Sequence, residues 1–202
     1  MNKILTLLFG LSFSVMAFSQ AIDYNPKQLD NDIQKIHGLK SISAISVMEL
    51  SLQGIPDEVE GRFFKMTVRT SDNPVNYVYI GRVNSCRAGG CNNNRILIAG
   101  DVSEYFDYYI IFGDDCKIKQ VRIYNYQATH GQEVTNKGWL RQFIDFDGKK
   151  KLKVGKNIDA ISGATISVYA ITADIENKTL LLGNLLTKKE DRFKEVSGML
   201  GK

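Results

Sequence analysis

Proline, cysteine and histidine are scarce in this chain of 202 residues, which has three prolines, three cysteines and two histidines. So little proline excludes a proline-rich stalk. The net charge is also small, because 26 Lys and Arg stand against 22 Asp and Glu and leave +4. A nucleic-acid surface would need a clustered basic face, so this mild, evenly spread charge argues against one. The hydrophobic share of 44% is close to that of soluble globular proteins, which excludes a disordered or fully membrane-embedded chain. The length fits one domain, with room for a small second one.

The first nineteen residues have the pattern of an export signal. Lys3 makes the start positive, and the apolar run over 4–18 is shorter than the ~20 residues needed to cross a bilayer. Ala17 and Ser19 are small residues at the two positions that a signal peptidase reads. We predict a signal peptide over residues 1–19, cleaved after Ser19, and a mature protein exported to a bacterial periplasm. Retention as an anchor is the alternative; no cysteine follows closely, which argues against a lipid-anchored form.

Export changes how the cysteines are interpreted, because thiols tend to pair in an oxidising compartment. Cys86 and Cys91 bracket a loop with two adjacent glycines, which can make the tight reversal that a short bridge requires. We favour a Cys86–Cys91 disulfide with Cys116 left over, and a reactive redox pair stays open. A zinc site has weaker support, because no second cysteine pair is present and His37 and His130 are isolated. No metal site is predicted.

Hydrophobic periodicity predicts the fold class. Apolar residues at helical spacing predict helices over 26–36, 138–146 and about 165–186, and a short amphipathic helix near the C-terminus. Runs of aromatic and β-branched residues predict strands at 62–69, 76–82, 95–99, 108–112 and 117–126. A Gly-Asp-Asp turn between the last two predicts an antiparallel hairpin. Strands followed by a helix, without regular strand–helix alternation, predict an α+β domain with an antiparallel sheet and packed helices.

The segment Asp159-Ala160-Ile161-Ser162-Gly163-Ala164-Thr165 is a polar turn that leads into an apolar helix. Asp159 and Ser162 are good capping residues, and Gly163 allows a close approach of the backbone. Free N–H groups at a helix start favour an anion, so a phosphate near Thr165 would meet a partial positive charge. By capping chemistry alone, an ordinary helix start without a ligand is the commoner explanation.

The order of these residues resembles the Asp-x-x-Ser/Thr-Gly-Ala-Thr signature of FMN-binding domain proteins. These are relatives of the NqrC and RnfG subunits of sodium-pumping and ion-translocating oxidoreductases. In that family the last threonine carries FMN through a phosphoester bond, which a magnesium-dependent flavin transferase installs from FAD. The resemblance implies that Thr165 carries covalent FMN and that Asp159, Ser162, Gly163 and Ala164 are recognised by the transferase.

The same resemblance divides the chain. It implies an FMN-binding core at 76–187, an unassigned N-terminal part of the domain at 20–75, and a C-terminal amphipathic segment at 188–202. Relatives carry Glu-Thr-Pro-Gly in a flavin-lining loop, where this chain reads Ala128-Thr129-His130-Gly131. The resemblance implies flavin contacts from Thr129, His130 and Gly131. Ala128 stands in the place of that glutamate and has no carboxylate with which to contact the flavin.

Two further features have both a functional and a structural interpretation. Trp139 and Phe143 could line the flavin ring, although core packing is the usual role of aromatic residues at helical spacing. The lysines at 149, 150, 151, 153 and 156 could attract the flavin phosphate or an acidic partner. A solvated surface is the commoner role of such a run.

These observations predict an exported flavoprotein with covalently bound FMN that transfers electrons between redox partners in the periplasm. The flavin would supply the redox chemistry and the protein its tethering and orientation, so no catalytic residue is assigned. The expected partners are the flavin transferase and an unknown redox protein, which could belong to a membrane complex; nucleic acid is not expected. One alternative is a small extracytoplasmic flavin-dependent reductase, with His130 and the cysteine pair as its candidate groups. The other is a non-redox, disulfide-stapled binding domain.

Overall fold

The described residues form one six-stranded sheet. The computed structural model describes residues 21–39, 45–52, 59–69, 74–87, 103–187 and 193–195. Its strands are β1 (Ile45–Leu50), β2 (Gly61–Val68), β3 (Val75–Arg87), β4 (Ser103–Phe112), β5 (Ile118–Tyr126) and β6 (Phe193–Glu195). They lie in the order β5-β4-β3-β2-β1-β6, and each neighbouring pair is antiparallel. The predicted α+β class with an antiparallel sheet is confirmed.

Helices cover both faces of this sheet. The α-helices are α1 (Lys27–His37), α2 (Lys137–Leu140) and α3 (Thr165–Thr187), with 3-10 turns at Gln132–Thr135 and Arg141–Phe143. Side chains alternate between the two faces of a strand, so each strand contributes to two cores. On one face Leu29 and Ile33 of α1 pack with Tyr109 of β4. On the other face Val168 and Ile171 of α3 pack in the core that contains Tyr108, the neighbour of Tyr109 in the same strand.

A buried ion pair fixes α1 to the sheet. Arg122 of β5 donates from two nitrogens to the Asp32 carboxylate, each at 2.6 Å. The Tyr109 hydroxyl donates to the same carboxylate at 2.7 Å. The Asp32 side chain is 5% exposed and that of Arg122 15%, so each charge depends on the other for its solvation.

Most predicted elements are present, with shifts at their ends. Helix α1, strands β2 to β5 and helix α3 all lie where the periodicity placed them, and β4 and β5 form the predicted hairpin. The helix predicted over 138–146 is shorter, because it divides into α2 and a 3-10 turn that ends at Phe143. Strand β1 was not predicted. Because β1 and β2 belong to the same sheet as β3 to β5, residues before 75 are an integral part of this fold.

The C-terminal prediction was wrong where it can be compared. A helix was expected around Phe193, but residues 193–195 form strand β6, which pairs with β1. The signal peptide at 1–19, the strand at 95–99 and Cys91 of the predicted disulfide lie outside the described residues. Within the described residues, no helix has the length and apolar character to cross a membrane.

Candidate functional site

Helix α3 begins without a side-chain cap. The Ala164 carbonyl accepts the N–H of Val168 at 2.9 Å, so Ala164 is the residue that precedes the helix, and its methyl group cannot cap it. The predicted capping by Asp159 and Ser162 was wrong: among the described residues, neither side chain accepts a bond from the first turn. Backbone N–H groups of this turn have no partner inside the helix. The helix start is therefore open to an anion, and the exposed Thr165 is its first residue.

The backbone conformation of Gly163 directs the chain into the start of α3. Its φ of +82° lies in the left-handed region that glycine adopts readily, and nothing lies within 4 Å of the position where a Cβ would be. The N–H of Ala164 closes the turn on the Ile161 carbonyl at 3.2 Å. Asp159, Ser162 and Gly163 are exposed, whereas Ala164 is buried. The turn thus leaves open space beside Thr165.

Trp139 and Gln142 hold the start of the motif by hydrogen bonds to the backbone of Asp159. The indole Nε1 of Trp139 donates to the Asp159 carbonyl at 2.8 Å. The Asp159 N–H donates to the side-chain oxygen of Gln142, also at 2.8 Å. Trp139 is 9% exposed and packs edge-on against the buried Phe143, with ring centroids 5.4 Å apart. In the described residues these two rings support the motif and belong to the core.

The loop at 128–131 contacts the start of α3. Gly131 is buried and has a φ of +85°, and a Cβ there would lie 2.7 Å from the Ser167 hydroxyl and 3.4 Å from the Ala164 Cα. Only glycine fits so close an approach without displacing a neighbour. The structure therefore brings together the two segments that the sequence singled out. Thr129 and His130 are exposed beside them.

Ser167 joins this loop to the sheet. Its buried hydroxyl lies 2.8 Å from the Ser85 hydroxyl of β3 and 3.3 Å from the Tyr126 hydroxyl of β5. Tyr126 donates to the His130 carbonyl at 2.5 Å, and burial raises the pKa of this phenol above its ordinary value. The neutral phenol can therefore keep its proton on the loop. The position of Ser167, two residues after Thr165, could have marked it as a site residue in the sequence. The position of Ser85 in the sequence gives no such indication.

The loop at 128–131 contains no acidic residue, and the carboxylate of Glu104 contacts it from β4. The Thr129 hydroxyl donates a short hydrogen bond to Glu104 at the start of β4. The sequence analysis marked Ala128 as the position where relatives carry glutamate. Glu104 is 25 residues away from Thr129 along the chain, so no local pattern indicates this contact.

Two predicted features are only partly described. Cys86 lies in β3 directly after Ser85, but Cys91 lies outside the described residues and so does the predicted disulfide. Cys116 is a free thiol in the β4–β5 turn, where burial, followed by the charges of Asp115 and Asp114, raises its pKa above the ordinary value. Among the described residues, no three His, Cys, Asp or Glu side chains cluster as metal ligands would.

Comparison with known proteins identifies the region that contains this site. Residues 104–178 match the family model of the FMN-binding domain. The chain carries an FMN-binding domain. The matched region runs from β4 into α3, so the loop at 128–131 and the whole motif lie inside it. No curated protein and no solved structure matches the chain.

The residues present fit the phosphate end of FMN. The uncapped N–H groups of the first turn of α3 are donors for phosphate oxygens, and Gly163 leaves the space beside them open. A phosphate held there would lie beside the Thr165 hydroxyl. The match of this region to the FMN-binding domain supports a flavoprotein with FMN as the cofactor.

Proposed function

We propose that this protein is an exported electron carrier whose FMN is attached to Thr165 through a phosphoester bond. The observation that carries the proposal is the exposed Thr165 at an uncapped helix start, next to a loop that the fold holds in place. When bound, FMN would supply one- and two-electron chemistry. The protein's own residues tether it, orient it and leave it accessible to a partner.

Each part of the site has a role in this proposal. The N–H groups of Thr165, Ile166 and Ser167 hold the phosphate, and the dipole of α3 favours its negative charge. Trp139 and Gln142 fix the backbone of Asp159, which keeps the motif in the shape that a flavin transferase must recognise. Gly131 lies against Ala164 and Ser167, which stand on either side of Thr165 in the chain, so the loop before it lies next to the start of α3.

A carrier fits the exposure of the site better than a reductase with a bound substrate. Asp159, Ser162, Thr165 and His130 are all exposed, which favours electron exchange with a docked protein. A closed pocket that orients a small substrate would bury such residues. The proposed partners are the flavin transferase for maturation and a redox protein in the same extracytoplasmic compartment.

Covalent attachment is tested by coexpression with a flavin transferase and denaturing electrophoresis. The wild-type band should keep yellow flavin fluorescence, and Thr165→Ala should lose it while its circular dichroism is unchanged. Thr187→Ala is the matched control, because Thr187 is an exposed threonine at the other end of α3. A Thr165→Ala band as fluorescent as the control would overturn the attachment site.

The carrier role is tested by stopped-flow oxidation of the reduced flavoprotein. Rates should rise linearly with the concentration of small dyes, without saturation. A saturable small-molecule reactant with a micromolar constant, lost in His130→Ala, would instead establish the reductase.

A further inference from the structure

The outer side of α3 exposes apolar side chains. Ile166, Tyr169 and Leu180 are 42%, 56% and 44% exposed. With Ala173 they recur at intervals of three, four and seven residues, which places them on one side of the helix. A helix on the surface of a soluble domain normally has polar residues on the side that is exposed to water. This apolar stripe is therefore a candidate surface for contact with another molecule.

A groove runs between this stripe and the lysine-rich segment before the motif. It has a volume of about 500 Å³ and is lined by residues that include Lys151, Lys153, Lys156, Tyr169 and Ala173. The segment is held against α3, because the Leu152 N–H donates to the Glu176 carboxylate at 2.8 Å. The Asn157 side chain closes it by accepting from the Lys153 N–H at 2.6 Å. The groove is thus formed before any partner arrives.

The groove is lined by three lysines and one acidic residue, Glu176, whose carboxylate accepts the Leu152 N–H. Lys149 pairs with Asp147 at 3.0 Å. The ammonium groups of Lys151, Lys153 and Lys156 have no acidic group within 4.0 Å among the described residues, and all three residues are exposed. A second copy of this chain related by a two-fold axis would place lysine against lysine. Charge complementarity therefore favours an acidic partner.

The position of this surface connects it to electron transfer. Tyr169 is the first residue of α3 that lines the groove, and Thr165 lies one helical turn before it, so a cofactor attached there would be carried one turn beyond this end of the groove. Resting on the proposed function, we infer that the groove and the apolar stripe form the docking surface for an acidic redox protein. That partner places an apolar side chain in the groove and carboxylates against the three lysines.

The experiment compares two variants with the same change in net charge. Lys151→Gln with Lys153→Gln alters the groove, whereas Lys27→Gln with Lys35→Gln alters exposed lysines of α1 on the opposite face of the sheet. The probe is an acidic c-type cytochrome, with a basic one as the comparison. In stopped flow, each two-electron-reduced flavoprotein reduces two ferric haems, and its protons go to water.

At 0.1 M ionic strength, we expect the second-order rate with the acidic cytochrome to fall about three- to tenfold in the groove variant, a loss of electrostatic steering. The α1 variant should differ from wild type by less than about 1.5-fold at the same ionic strength, because its charges lie on the opposite face of the sheet and the Debye length is then only ~10 Å. The rate with the basic cytochrome should rise in the groove variant. Tyr169→Ala should weaken binding of the acidic cytochrome about tenfold, measured by calorimetry.

Equal rates for the two lysine variants would overturn the inference. A second pair of results would also overturn it: the groove variant no longer binds phosphatidylglycerol vesicles, and its rate with the cytochrome is unchanged. Those results would identify the groove as a membrane-binding surface. Each variant is first checked for its fluorescent band after denaturing electrophoresis. If the wild type has no band, covalent attachment fails, and calorimetry with the flavin-free protein still tests the docking surface.

Discussion

Replacing Gly131 with alanine tests the contact that joins the two halves of the site. Two costs arise. The first is the left-handed backbone, with a φ of +85°, which costs a non-glycine residue about 1–2 kcal/mol. The second is steric, because the new Cβ would lie 2.7 Å from the Ser167 hydroxyl, where ordinary contacts begin at 3.4 Å.

The Ser167 side chain cannot move away from the new Cβ without weakening a hydrogen bond. Its hydroxyl is buried and lies 2.8 Å from that of Ser85, so a shift of the side chain weakens a buried hydrogen bond. Such a loss costs about 1–2 kcal/mol. Gly131→Ala should therefore lower the free energy of unfolding by about 2–4 kcal/mol in total.

The chain offers a matched control in Gly155. Its φ is +79° and nothing lies within 4 Å of its Cβ position, so Gly155→Ala has the backbone cost alone, about 1–2 kcal/mol. At about 2–4 °C per kcal/mol, Gly131→Ala should melt some 2–8 °C below Gly155→Ala, measured by thermal and urea unfolding. In a Ser167→Ala background the difference should shrink, because the nearest atom that the Cβ meets is gone and only the Tyr126 hydroxyl, 3.2 Å from the Cβ position, remains closer than 3.4 Å. Equal costs for the two glycines in the wild-type background would refute the reasoning.

Three further outcomes test the scaffold. Asp32→Asn should cost about 3–5 kcal/mol in urea unfolding, because it leaves the Arg122 charge buried without its partner; Glu49→Gln, which breaks an exposed pair, should cost less than about 1 kcal/mol, and equal costs would contradict the assignment. Trp139→Phe removes the donor to the Asp159 carbonyl and should cost about 1–2 kcal/mol and lower the yield of fluorescent protein; no change in either measurement would count against a supporting role. Because burial raises the pKa of the Cys116 thiol, iodoacetamide should alkylate it slowly at pH 8 and faster after unfolding in urea, and its native rate should keep rising above the ordinary thiol pKa of about 8.5. An equal rate in the native and unfolded protein would contradict this account.

Local patterns predicted the elements whose signal is local. The apolar spacing in α3 and the Gly-Asp-Asp turn between β4 and β5 each specify their structure within a few residues. The capping prediction failed because it used residue type alone. The left-handed Gly163 redirects the chain after Ser162, so the residue before the helix is Ala164.

Contacts between distant residues could not be predicted in this way. Ser85 meets Ser167 across 82 positions, and Glu104 meets Thr129 across 25. Phe193 has apolar neighbours at helical spacing, but β1 offers a free sheet edge, and residues 193–195 pair with it. Strand pairing is decided by such tertiary partners, which a single sequence does not contain.

The position of β4 inside the sheet limits how the FMN-binding region can be excised. The matched region begins at residue 104, within β4, and so omits β3, which pairs along most of β4. A fragment of residues 104–178 would retain the β4–β5 ribbon and a shortened α3. A two-stranded ribbon is marginally stable in water, and the edge of β4 would be open to pairing with other chains. A fragment that keeps β4 paired on both sides must therefore include β3, and β3 in turn pairs with β2 and β2 with β1.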